Sequence, residues 1–88
     1  MALLDLLGRR WALRILWELR AAPATFRDLQ ERSGGVSPSV LNQRLAELRE
    51  ARVVESSDAG YRLTRDGDDL MELLTPLSAW AKKWGRRQ

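Results

Sequence analysis

A mainly helical domain with one small β-hairpin is the fold this chain predicts, on three observations. Apolar residues recur at helical spacing through most of the 88 residues. A single pair of strand-prone runs, Val53-Val54 and Tyr61 to Leu63, flanks the turn residues Ser57-Asp58-Ala59-Gly60. Two short helical stretches are joined by little more than Gly34-Gly35-Val36-Ser37. The length supports one domain, residues 1–88, and no repeat or Pro/Gly/Ser linker divides it.

The elements follow in order. In "ALLDLLGRRWALRILWELR", Leu3, Leu4 and Leu7 make one apolar face, and Trp11, Leu13, Ile15, Leu16 and Leu19 a second. Gly8 between them predicts a break between a short and a longer helix, and Ala21-Ala22-Pro23 closes the latter. Thr25, with Asp28 three residues on, resembles a capping box, so a third helix starts there and ends at Gly34-Gly35. Ser37-Pro38 is a serine N-cap with proline at the first helical position, and that fourth helix is expected over 37–52. The hairpin is expected over 53–63. Thr64 then caps a last helix with acids Asp66, Asp68, Asp69 and Glu72 early and Lys82, Lys83, Arg86 and Arg87 late, as the helix dipole favours, with Pro76 a point for a kink. Four helices, a hairpin and a fifth helix, with the third and fourth joined by a tight turn, make a winged helix-turn-helix.

On a helical wheel Leu41, Leu45 and Leu48 fall in one narrow stripe. The opposite side carries Ser39, Gln43 and Ala46, with Asn42 on its flank, and residues 36–46 contain no acid. A surface that docks on a polyanion is expected to look like this. In a helix-turn-helix the second helix enters the major groove. Ser37, Pro38 and Ser39 at its start are then placed for phosphates, Asn42 and Gln43 for adenine edges, and Ala46 for clearance or a thymine methyl. Arg44 lies toward the core edge, within reach of a phosphate or of an acid on a neighbouring helix. Arg62 is the expected wing contact, and Thr25, Arg27 and Arg32 are candidates for backbone contact. Capping and an ordinary solvent face account for the same residues without DNA.

Composition narrows the function. Neither Cys nor His occurs, which removes thiol chemistry, disulfides and the commonest metal ligand and acid–base group. The acid cluster at 66–72 matches no calcium-loop spacing, so no metal, cofactor or catalytic role is expected. Apolar runs are too short to span a bilayer and the N-terminus lacks a signal-peptide layout, so a cytoplasmic protein is expected. Thirteen of the fifteen basic residues are Arg, which suits phosphate and guanine contacts but equally a GC-rich genome; their placement matters more than their number.

From "LLGRRWALRILWEL" through "TFRDLQERSGGVSPSVLNQRLAELREARVVE" to "YRLTRDGDDLMELLTPLSAWAKKW", the chain resembles the HxlR-type winged-helix regulators, close to the MarR group. The segment "GVSPSVLNQRLAEL" is the most specific part. The resemblance implies a dimeric bacterial repressor or activator bound to a pseudo-palindromic double-stranded operator. Three departures stand out. The N-terminal cysteine that some members use for sensing is missing, the hairpin is short, and Ala51-Arg52 replaces the customary glycine after the fourth helix.

A homodimer is also expected from the residues themselves. Leu70, Leu74, Leu77, Ala81 and Trp84 follow a four-three spacing, with Leu73 and Trp80 as a second stripe. A domain this small has no room to hide these together with Leu3, Leu4 and Leu7. Trp11, Trp17 and Trp80 are candidates to line a small-molecule effector site, core packing being the plainer explanation. The main rival function is a protein docking module, for which the same fold would serve. A membrane-surface role for "WAKKWGRR" is disfavoured by the acidic first half of its helix.

Overall fold

Helical periodicity becomes five helices and one hairpin over residues 2–87, which this computed structural model describes. They are α1 (Ala2–Leu7), α2 (Ala12–Leu19), α3 (Phe26–Ser33), α4 (Pro38–Glu50), β1 (Val54–Ser57), β2 (Gly60–Leu63) and α5 (Arg65–Arg86). The strands pair antiparallel from Val54 opposite Leu63 to Ser57 opposite Gly60, so only Asp58 and Ala59 form the tip. Ala24 and Tyr61 exchange backbone N–H···O bonds of 2.9 and 2.8 Å, which stitches the α2–α3 connection onto β2 as a rudimentary third strand.

The core is assembled from one stripe each of α2, α3 and α4, closed by the hairpin and the start of α5. Ile15, Leu16 and Leu19 of α2, Leu29 of α3, and Leu41, Leu45 and Leu48 of α4 are buried together with Val54, Leu63 and Met71. Each such side chain contributes about 1.5–3 kcal/mol through burial. From α5 only Gly67 and Met71 are buried. Leu7, Leu70 and Leu74, named among the expected dimer contacts, are half-buried against this core. Leu3, Leu4, Leu73, Leu77, Trp80 and Trp84 remain exposed, Leu73 at 76% and Trp84 stacked on Trp80 with ring centroids 6.3 Å apart. α5 runs unbroken through Pro76, where the Thr75 hydroxyl donates to Met71 O at 2.8 Å.

Two boundaries differ from expectation. The break after α1 falls at Gly8, whose N–H still bonds Leu4 O, but the left-handed residue that turns the chain into α2 is Trp11, at φ 78°. A bulky residue tolerates that conformation at a cost of about 1–2 kcal/mol, offset here by packing of its half-buried ring against the core. α4 ends at Glu50 rather than at residue 52, because Ala51 caps it and Arg52 adopts φ 62°. Arg52 thus occupies the left-handed C-terminal position that glycine usually fills.

Thr64 fastens the base of the hairpin to both flanking helices. Its hydroxyl donates to Arg52 O at 2.6 Å and accepts the Gly67 N–H at 3.1 Å, while its own N–H donates to Val53 O. A Cβ on Gly67 would collide with Val53 O, so glycine is required where α5 crosses the end of the α4–β1 turn.

Two stability predictions follow the same backbone. Arg52→Gly removes left-handed strain and is expected to raise stability by about 0.5–1 kcal/mol in denaturant melts. Gly67→Ala, which in an open helix would stabilise, is expected here to cost about 1–3 kcal/mol, because the added methyl meets backbone.

Candidate nucleic-acid interface

α3, the turn at residues 34–37 and α4 form the helix-turn-helix, and each end is set by local chemistry. Thr25 Oγ1 accepts the Asp28 N–H at 3.1 Å and Asp28 Oδ2 accepts the Thr25 N–H at 3.2 Å, the reciprocal box expected of this pair. The Thr25 N–H, then the Thr25 hydroxyl, and the nearby Arg32 and Arg27 hold the Asp28 carboxyl below its ordinary pKa. The folded pKa is the depressed one, so the cap is intact at neutral pH and is lost as pH falls through that lowered value. Gly34 and Gly35 take φ 60° and 105°, which lets the chain reverse in so few residues. Ser37 then caps α4 by accepting the Val40 N–H at 3.2 Å, with Pro38 in the first turn.

With the leucine stripe buried, Ser37, Pro38, Ser39, Asn42, Gln43 and Ala46 all lie exposed on the outward side of α4. The structure therefore brings this sequence-predicted set together on one surface. Among the described residues, Asn42 and Gln43 make no side-chain hydrogen bond within the chain, and Ser37 and Ser39 share only a 3.4 Å hydroxyl contact. Unpartnered amides on a fixed helix are suited to exchanging water for base edges.

Arg44 does not join them. Its Nε donates to Arg10 O at 3.0 Å and its Nη1 to Glu47 at 2.6 Å, and Glu47 also receives Arg9 at 3.2 Å. The side chain is only 14% exposed. Of its two expected roles the structure uses pairing with an acid, on its own helix rather than a neighbouring one. The cluster ties α4 to the Arg9-Arg10 connector and neutralises the first acid after the acid-free run.

The flanking candidates divide. Arg62 lies exposed on β2 but pairs across the hairpin with Glu55 at 2.9 Å. An exposed pair of this kind is worth about 0–1 kcal/mol, so a phosphate competes for Arg62 readily. Asp58 stands at the two-residue tip, which disfavours deep insertion there. Thr25 and Arg27 are exposed at the start of α3, Arg27 within 3.4 Å of Glu31, and Arg32 at its end forms no side-chain hydrogen bond or ion pair among the described residues.

One basic residue escaped the sequence reading. Arg49 is exposed and, like Arg52 and Arg65, has no ion pair among the described residues. It follows Asn42 by seven positions, and that periodicity alone puts it on the same flank. The tryptophans do not form one site. Trp11 lies beneath Arg10, Trp17 beneath Arg20 at 3.6 Å, and Trp80 against Trp84. Trp17 borders an apolar groove between α2 and α5, with Leu13, Leu74, Leu77 and Ala81. No helix among the described residues is long and apolar enough to cross a membrane.

Comparison with known proteins agrees with this geometry. The model of the HxlR-like helix-turn-helix family matches residues 6–88. An HTH-type transcriptional regulator of Methanocaldococcus jannaschii is 25% identical over 88 residues, covering 96% of this chain and 83% of that protein. YodB, an HTH-type transcriptional regulator of Bacillus subtilis, is 30% identical over 87 residues, covering 91% and 78%. The crystal structure of quinone-bound YodB superposes with TM-score 0.85 at 32% identity, over 93% of each chain. A possible HxlR family transcriptional factor from Thermoplasma volcanium superposes with TM-score 0.86 at 26% identity, over 96% of this chain and 82% of that one. The family and these relatives are regulators rather than enzymes, and the hairpin beside α4 is the wing of their common winged-helix fold. The chain belongs to the HxlR-like helix-turn-helix family of DNA-binding transcriptional regulators.

Proposed function

We propose that this regulator acts as a homodimer that sets two α4 helices into successive major grooves of a pseudo-palindromic operator. The outer face of α4 from Ser37 to Ala46 carries the proposal: an exposed stretch without an acid, held outward by a buried leucine stripe. Asn42, Gln43 and Ser39 read bases, and Ala46 keeps the helix close to them. Ser37 and the first-turn N–H groups of α4 hold a phosphate, with Pro38 setting the helix start. Arg62 leaves Glu55 for the backbone beside the wing, and Thr25 and Arg27 contact backbone from α3. Binding to chromosomal DNA places the protein in the cytoplasm.

Support for the dimer is the uncovered apolar surface of α1 and α5. Leu3 and Leu4 on α1, and Leu73, Leu77, Trp80 and Trp84 on α5, are exposed in the single chain, more large apolar surface than monomers commonly leave in water. A two-fold contact through these helices covers it and spaces the two recognition helices by about one DNA turn, ~34 Å. YodB has been solved with a quinone bound. In this chain the groove beside Trp17 is the apolar position for a small effector, but it shares Leu77 and Ala81 with the seam. An effector there would act through the dimer, without thiol chemistry.

Gln43→Ala is expected to lose about 1–3 kcal/mol of binding to the preferred site and little on random DNA, whereas Arg62→Ala weakens both alike. Quantitative gel shifts on both duplexes measure this, and equal losses for Gln43→Ala on the two would remove its base-reading role. Leu77→Glu is expected to turn a dimer into a folded monomer in sedimentation equilibrium at micromolar concentration. A wild-type monomer under those conditions would contradict the proposed assembly.

A further inference from the structure

The outward face of α4 does not end at Ala46. Past it the surface dips into an open groove of about 570 Å³ between the last turns of α4 and β1, bordered by Arg49, Arg52 and Ser56. Arg49 and Arg52 are exposed and have no ion pair among the described residues, and Ser56 is exposed on β1. Arg52 is also the residue held at φ 62°, where glycine would be unstrained. Backbone strain of this kind persists where the surroundings enforce it and is concentrated at functional positions.

We propose that this groove is a seat for a DNA backbone phosphate, separate from the phosphate site at the start of α4. The inference rests on the DNA-binding role proposed above and adds a contact that neither the start of α4 nor the wing tip supplies. Two guanidinium groups and a hydroxyl are suitable donors to phosphate oxygens. Two acids also border the groove. Glu55 is paired with Arg62 at 2.9 Å in the free protein, and once Arg62 turns to DNA, Arg49 and Arg52 balance Glu50 and Glu55 around the phosphate. The groove continues the base-facing side of α4 toward the wing, where the strand bounding the major groove would pass. Thr64, at the same rim, has its hydroxyl committed to Arg52 O and the Gly67 N–H and so supports the seat without donating to it.

Arg52→Gly separates this role from a structural one, because the two readouts move in opposite directions. Full-length wild type, Arg52→Gly, Arg52→Lys and Arg49→Gln are titrated against a random-sequence 30-base-pair duplex and against the DNA upstream of the gene, over a salt series. Loss of one phosphate contact predicts that Arg52→Gly and Arg49→Gln bind both duplexes roughly 3- to 10-fold more weakly, with a log–log salt slope shallower by about 0.9. Arg52→Lys keeps most of the slope, and the melting midpoint of Arg52→Gly rises. Wild-type affinity and slope in Arg52→Gly and Arg49→Gln would overturn the seat while leaving the DNA-binding role intact. A wild type without salt-dependent DNA binding would overturn both.

Discussion

Burial of Leu41, Leu45 and Leu48 on one side of α4 governs what the other side can do. Those three side chains are buried in the common core, and removing any one to Ala would cost about 2–5 kcal/mol. The helix therefore has one stable rotation about its axis. In that rotation Ser39, Asn42, Gln43 and Ala46 face water, with the two amides uncommitted. A reading surface needs such rigidity, since discrimination between bases depends on amides held in place before contact.

Two polar assemblies extend this constraint beyond the core. In the second half of α4, Arg44, Glu47 and Arg9 bind the helix to the connector that Trp11 turns. Beyond its last turn, Thr64 joins the close of α4, the base of the hairpin and the start of α5. Recognition helix and wing are thus fixed to one another through Arg52 and Thr64 rather than through the hairpin tip. That arrangement suits a short wing, because contacts near its base do not depend on tip length. α5 leaves this junction and carries its uncovered leucines and tryptophans away from it.

How much of this was legible in the sequence depended on the range of the interactions. The helix starts were legible because capping is local: Thr25 with Asp28, Ser37 with Pro38 and Thr64 with Gly67 all act within three residues. The hairpin was legible from its turn residues, and the outer face of α4 from leucine spacing. Arg44 was placed only to within two alternatives, since its carbonyl partner Arg10 lies 34 positions away. The Ala24–Tyr61 bridge and the Glu55–Arg62 pair needed the strand register. The left-handed turn at Trp11 ran against every local preference for a bulky residue, and only tertiary packing explains it. Arg49 could have been found, seven positions after Asn42, had the wheel been carried to the last turn.

In the proposed complex the outward face of α4 reads DNA sequence while arginine and serine contacts hold the backbone. The most direct test is binding of the purified protein to its own upstream intergenic DNA and to random DNA at two salt concentrations. The expected result is selective binding to the upstream site that weakens on both duplexes as salt rises, with selectivity retained. Absent or salt-insensitive binding by a folded, intact dimer would contradict the account and point instead to a winged helix that docks on protein.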